Sequence, residues 1–130
     1  LVHGDGIASD NSSQAVWVAS ADCTPALIAD IKTGAVAAVH AGWRGTSKKI
    51  IPVAIGRLVS QGSKLENLRI ALGPAIAGEV YQVSIQTAAE VGATISSEKE
   101  DKIVEALLEQ PNSPILNDLE PGKVRLDVRR

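Results

Sequence analysis

Two apolar segments joined by a short polar turn constrain the fold of this chain more than any other feature. Residues 25–31 (PALIADI) and 35–41 (AVAAVHA) are almost entirely aliphatic, and only Lys32, Thr33 and Gly34 separate them. Apolar runs of this length around a turn that contains glycine are typical of a β-hairpin. The sequence therefore predicts two adjacent antiparallel strands here.

The length of the turn sets the register of this hairpin. A two-residue loop at residues 32–33 places Cys23 level with Gly42 and diagonal to His40, on the same face of the sheet. A loop at residues 33–34 keeps that face but doubles the offset, and a three-residue loop breaks the relationship. Diagonal neighbours across a hairpin lie about 7–8 Å apart at the backbone, within joint reach of a metal or a hydrogen bond.

The remaining pattern mixes strands and helices without a regular alternation. A helix is predicted from an N-cap at Thr46 to about Ser60, with Pro52 tolerated only in a first turn that starts nearer Ile51. Strands are predicted at 14–20, 68–72 and 123–128, and further helices at 83–91 and 98–110. This order favours an α+β fold with mixed β-sheets over a doubly wound one.

Composition excludes several classes of protein. The 130 residues are 45% hydrophobic and 22% charged with a net charge of −2, which is too apolar for disorder and gives no general basic field for nucleic acid. The longest apolar run, residues 50–55, is far shorter than the ~20 residues of a membrane span. One cysteine cannot form an internal disulfide, and no signal peptide is visible, so we expect a cytoplasmic protein.

Three side chains with metal-binding or nucleophilic chemistry, His3, Cys23 and His40, all lie beside glycine or at predicted strand ends. Two imidazoles and a thiolate form a three-ligand set with an open fourth position, as in catalytic zinc sites. The same residues also fit a cysteine nucleophile with a histidine base. A packed cysteine with two unrelated histidines is the third alternative, and spacing alone leaves all three open.

Arg44 is a separate candidate for binding an anion. It lies between glycines in the segment GWRG (residues 42–45), directly before the predicted helix. Glycines allow a ligand to approach the backbone, and a helix N-terminus with an arginine fork favours phosphate. A surface arginine stacked on Trp43 explains the same residues without a ligand. Tyr81 is explained by core packing with a polar tip.

Taken together, the segments VHG (2–4), ADCTP (21–25), HAGWRG (40–45) and LGPAI (72–76), with Tyr81, resemble the laccase-domain family. Its members are also called multicopper polyphenol oxidase or purine nucleoside phosphorylase. The resemblance extends over nearly the whole chain and is strongest from Trp17 to Val83. We therefore expect a single laccase-like domain over residues 1–130.

The resemblance implies an α/β/β/α layered fold and a zinc site whose ligands match His3, Cys23 and His40. It also implies phosphorolysis of adenosine, inosine or methylthioadenosine and deamination of adenosine, with nucleoside and phosphate as partners. Arg44 matches the arginine of the family motif and is the candidate for phosphate. Cys23 and His40 are the other catalytic candidates, and a cysteine-dependent hydrolase and a zinc-stabilised module without activity are the alternatives.

The sequence departs from the family pattern in three places. The stretch between His3 and Cys23 is shorter than usual, so either a loop is missing or His3 is displaced. The segments that precede the histidine and follow residues 123–128 in relatives are absent, so we expect a domain incomplete at both ends. Two histidines and one cysteine cannot ligate the four coppers of a laccase, so zinc is expected rather than copper, unless the missing ends supply histidines.

Overall fold

The computed structural model describes residues 4–11 and 13–130. These residues form seven strands and four α-helices, with single turns of 3₁₀ helix at Leu65–Asn67 and Gly78–Val80. The strands are β1 (Gly6–Ala8), β2 (Thr24–Asp30), β3 (Val36–Ala41), β4 (Leu68–Leu72), β5 (Gln82–Ser84), β6 (Ile115–Asn117) and β7 (Lys123–Leu126). The helices are α1 (Trp43–Ser47), α2 (Ile50–Ser60), α3 (Ile85–Gly92) and α4 (Ile103–Leu108).

The first sheet has the strand order β1-β3-β2-β4, and the predicted hairpin β2–β3 forms its centre. Thr24 pairs with Ala41 and Pro25 with His40, which confirms the predicted register. The loop is wider than two residues, because the last ladder bond joins the Asp30 amide to the Ala35 carbonyl. The register is unchanged because the extra residues are added equally on both sides of the turn.

Helix α2 covers one face of this sheet. Leu58 is fully buried against Ile28 and Ala37, and the helix residues Ile51, Ala54 and Ile55 pack around them. The expected single helix from Thr46 is instead two helices, broken at Lys49, whose φ is +56°. Pro52 has no amide hydrogen and its ring would clash one turn back, so α2 begins where the proline falls in its first turn.

The second sheet has the order β5-β7-β6 and packs against α3 and α4. Its core is a cluster of eight buried aliphatic residues: Val83, Ala88, Val91, Ile103, Leu107, Ile115, Val124 and Leu126. Trp43 of α1 and Tyr81 are partly buried against this cluster. The segment that follows the β2–β3 hairpin is thereby anchored on the second sheet.

The predicted strand at 14–20 is wrong, because the structure has no strand there and Trp17 is 83% exposed. Residues 14–17 line a groove with residues of β2, β3 and β4. Both hydrogen-bonding edges of β2 and of β3 are already occupied by neighbouring strands, so this segment has no central edge with which to pair.

Other boundaries were predicted with mixed success. The strand at 68–72 is confirmed, and the strand at 123–128 is confirmed as the shorter β7. The helix at 83–91 begins only after Ser84, whose hydroxyl caps α3 by accepting from the Thr87 amide, while Val83 pairs with Val124 in the sheet. The helix at 98–110 is only α4, since residues 98–102 are exposed and bury no apolar side chain.

The α+β class is confirmed, with helices packed against each of two sheets. The expected mixture of parallel and antiparallel pairs is not found, because every pair among the described strands is antiparallel. The short turns between β2 and β3 and between β6 and β7 cannot provide the long crossover that a parallel pair needs. The longer connections between the other paired strands also leave those strands antiparallel. Within the described residues, no helix has the length and apolar character to cross a membrane.

Candidate functional site

The end of the β2–β3 hairpin brings the predicted cysteine and histidine together. His40 is the penultimate residue of β3 and lies opposite Pro25, and Cys23 directly precedes β2. Both side chains are partly exposed. Since the ladder continues to Thr24 and Ala41, Cys23 follows level with Gly42, as the register predicted.

Gly42 is the point on which these two side chains converge. A Cβ at residue 42 would lie 3.1 Å from the Cys23 Sγ atom and 3.4 Å from the His40 Cε1 atom. Both atoms therefore lie within 3.4 Å of one point in space. Residue 42 has ordinary extended backbone angles, so glycine is required here for space rather than for conformation.

Asp5 lies on the other side of His40. Its carboxylate Oδ1 is 3.6 Å from His40 Nδ1, and the Asp5 carbonyl accepts a 2.7 Å hydrogen bond from the His40 amide. Sequence analysis did not select Asp5. The available signal was its position in the sequence, two residues after His3 and directly after the segment VHG (2–4).

Arg44 lies in α1 with its guanidinium carbon 4.3 Å from the centroid of the Trp43 ring. This is the stacking that the sequence offered as the alternative to an anion site. Stacking holds the arginine in place without using its hydrogen-bond donors, and Arg44 is exposed. The geometry is therefore compatible with both interpretations.

Tyr81, which directly precedes β5 of the second sheet, lies close to Cys23. It lines a small cavity together with Cys23, Gly42 and Trp43. Burial raises the pKa of the Tyr81 hydroxyl above its ordinary value, the negative charge of Cys23 raises it further, and the positive charge of Arg44 lowers it. Tyr81 therefore remains a neutral hydrogen-bond donor near neutral pH, in the same cavity as Cys23.

Close backbone contacts hold the loop before Tyr81 against the hairpin. The Gly73 amide donates to the Pro25 carbonyl over 2.8 Å, and a Cβ on Gly73 would lie 2.7 Å from the proline ring. The Ile76 amide donates to the Asp22 carbonyl, also over 2.8 Å. The motifs ADCTP and LGPAI therefore contact each other directly, and this contact fixes the backbone on both sides of Cys23.

The third predicted ligand, His3, lies outside the described residues. Among the residues that are described, no three His, Cys, Asp or Glu side chains are grouped closely enough to hold a metal ion. The thiol and the imidazole at Gly42 are donors that zinc accepts, so the described part of the donor set fits a zinc ion. The structure thus brings Cys23 and His40 together, places Arg44 two residues after Gly42 in α1, and leaves the assignment of His3 as a prediction.

Comparison with known proteins identifies relatives over nearly the whole chain. A purine nucleoside phosphorylase of Synechocystis sp. is 53% identical over 97% of this chain and 49% of its own length. A protein named adenosine deaminase RL5, from an unknown prokaryotic organism, is 28% identical over 88% of the chain and 38% of its own length. The chain therefore spans half or less of the length of these relatives.

Solved structures share the fold. The Neisseria meningitidis protein NMB0706 superposes with a TM-score of 0.71 over 96% of this chain and 45% of its own, at 23% identity. The model of the family described as multi-copper polyphenol oxidoreductase laccase matches residues 1–128. The chain belongs to this family.

Proposed function

We propose that this chain carries the zinc site of a purine nucleoside enzyme, which catalyses both phosphorolysis and deamination of nucleosides. The substrates would be adenosine, inosine and methylthioadenosine for phosphorolysis, and adenosine for deamination. Relatives named purine nucleoside phosphorylase and adenosine deaminase support processing of purine nucleosides. Because the chain spans about half of the phosphorylase relative, the activity of the whole protein is part of the proposal.

The observation that carries this proposal is the convergence of Cys23 and His40 on Gly42. A thiol and an imidazole that both approach one point are close enough to become ligands of the same cation once their side chains rotate toward it, since zinc binds sulfur at about 2.3 Å and nitrogen at about 2.0 Å. Both side chains are partly exposed, so a metal and a substrate can reach them from solvent.

His3 is the proposed third ligand. It precedes Asp5 by two residues, and two residues of chain span at most about 7 Å. His3 itself lies outside the described residues, and its assignment rests on the segment VHG (residues 2–4), which matches the family pattern. Cys23, His40 and His3 would hold the ion and would leave room on it for a reactant.

A zinc ion held in this way supplies Lewis acidity, which lowers the pKa of water enough for it to act as a nucleophile at neutral pH. In deamination, water adds to the purine carbon that bears the amino group, and ammonia leaves to give inosine. We expect the Tyr81 hydroxyl, which is neutral and lines the same cavity as Cys23, to donate a hydrogen bond to the bound nucleoside.

Phosphorolysis uses the same nucleoside with phosphate as the second substrate. A phosphate oxygen forms a bond to the ribose carbon, the glycosidic bond breaks, and the base leaves with a proton. We assign Arg44 to the phosphate, because its guanidinium stacks on Trp43 and it lies in α1 only two residues after Gly42, where Cys23 and His40 meet. A guanidinium held in one orientation can donate two parallel hydrogen bonds to two oxygens of a phosphate.

A Cys23→Ala variant tests this assignment, with Ser60→Ala as the control because Ser60 is exposed at the far end of α2. Zinc content and the formation of adenine and inosine from adenosine are measured, with and without phosphate. We expect the cysteine variant to lose bound zinc and at least about 100-fold of both rates, since even indirect partners of metal ligands contribute 10–100-fold. Unchanged zinc content and unchanged rates contradict the proposal.

The same Cys23–His40 pair favours a second candidate, a cysteine-dependent hydrolase. A thiolate that binds zinc is a poor free nucleophile, so the two functions exclude each other in one resting state. The hydrolase predicts alkylation of Cys23 by iodoacetamide and activity that survives chelators. A zinc-stabilised module without activity predicts instead a thermal shift on chelation with no turnover of nucleosides.

A further inference from the structure

We propose that Asp5 is a positioning residue for His40, which holds the imidazole in the tautomer that leaves Nε2 free to bind the metal. This inference rests on the proposed function, because it names the residue that prepares His40 for its role as a ligand. It concerns only residues that the structure describes.

The first support is the strand register. Strand β1 pairs with β3 from Gly6 opposite Val39, and the Asp5 carbonyl accepts from the His40 amide at 2.7 Å. Asp5 therefore lies directly opposite His40 at the end of this ladder. Directly opposed residues of antiparallel strands present side chains on the same face, with Cβ atoms about 4.5–5.5 Å apart.

The second support is the atom that the carboxylate faces. Asp5 Oδ1 is 3.6 Å from His40 Nδ1, which is the distance of an ion-pair contact and slightly longer than a hydrogen bond. The side chain of Asp5 is 62% exposed, so it is free to move. A shift of a few tenths of an ångström would bring its Oδ1 atom within hydrogen-bond distance of Nδ1. Contacts of this kind often shorten when a site binds its ligand.

The third support is the chemistry of the ring. A neutral imidazole carries one hydrogen and one lone pair on its two nitrogens, and an acceptor beside one nitrogen draws the hydrogen to that position. With the hydrogen on Nδ1 facing Asp5, the lone pair is on Nε2. In histidines that bind metals, the other ring nitrogen commonly donates a hydrogen bond to a carboxylate, which fixes the ring and increases its basicity.

The test is the tautomer of His40 in the metal-free protein, measured by ¹⁵N NMR of the imidazole nitrogens. The chain has only two histidines, so a His3→Gln variant assigns both sets of signals. At about pH 8.5, well above the ordinary histidine pKa of about 6.5, we expect mainly the Nδ1–H form in the wild type. Asp5→Ala should shift the population toward Nε2–H, and Asp5→Glu should restore part of the original ratio.

Zinc affinity provides the second measurement. Asp5→Ala should weaken zinc binding by about 10- to 100-fold, the usual effect of losing a carboxylate behind a metal-bound histidine. Asp10→Ala is the matched control, because Asp10 is also exposed but lies beyond β1. The same tautomer ratio in wild type and Asp5→Ala overturns the role of Asp5. If Asp5→Ala shifts the tautomer ratio as expected but the wild type binds no zinc, only the proposed function is contradicted.

Discussion

The Sγ atom of Cys23 lies 3.1 Å from the position that a Cβ on Gly42 would occupy. A methyl group there is closer than ordinary van der Waals contact and also meets the His40 ring at 3.4 Å. We therefore expect Gly42→Ala to push the thiol and the imidazole apart and to weaken zinc binding by about 10-fold or more, comparable to other disturbances of ligand orientation. Isothermal titration with zinc measures this effect.

Gly56→Ala is the control for this prediction. Gly56 lies inside α2, where an added Cβ meets nothing within 4 Å. Alanine is favoured over glycine inside a helix by about 0.5–1 kcal/mol, so this variant should raise the melting temperature and leave zinc affinity unchanged. Equal zinc affinity in Gly42→Ala and wild type would show that the contact with Cys23 does not govern the site.

The geometry at Gly42 could be predicted because it depends only on local pairing. Once a short turn joins two apolar segments, the alternation of side chains fixes which residues share a face. The register does not depend on the length of the turn when residues are added equally on both sides of it. The sequence therefore predicts Cys23 and His40 as neighbours on one face of the sheet.

Contacts between distant segments were not predictable in the same way. Asp5 reaches His40 because β1 pairs with β3, and three residues of strand are too short to leave a periodic pattern. The strand predicted at residues 14–20 is the opposite kind of error. The composition of this segment favours a strand, but both edges of the central strands β2 and β3 are already paired. Whether a segment pairs depends on tertiary context, which β-propensity does not contain.

Arg44 yields the second prediction. If its guanidinium binds phosphate, Arg44→Ala should reduce kcat/KM for phosphorolysis by about 10- to 100-fold, the worth of charge-assisted hydrogen bonds of about 1.5–3 kcal/mol. Deamination needs no phosphate and should change much less. Both rates are measured on adenosine, one by adenine and the other by inosine.

Arg57→Ala controls for the loss of one positive charge, since Arg57 is exposed on α2 and belongs to no part of the site. It should leave both reactions unchanged. Equal losses of phosphorolysis and deamination in Arg44→Ala would instead indicate that the arginine serves the fold of the segment through its stacking on Trp43.

The third prediction concerns Asp30, a buried residue at the end of β2 that organises the hairpin turn. Its Oδ1 atom accepts hydrogen bonds from the Lys32 amide at 2.8 Å and the Thr33 amide at 3.1 Å. The hydrogen bond from Lys32 contributes most to lowering the pKa of Asp30 from 3.8 to about 2. Because the folded state has the lower pKa, Asp30 stabilises the protein fully above pH 3.8 and less as the pH falls to about 2.

Asp30→Asn should therefore lower the free energy of unfolding at neutral pH, and the difference from wild type should shrink as the pH falls from about 4 to about 2. Urea titrations at several pH values measure both quantities. Asp10→Asn is the matched control, because Asp10 is exposed and should show no such convergence. A difference between wild type and Asp30→Asn that stays constant over this range would mean that the charge of Asp30 contributes nothing and that only its shape matters to the turn.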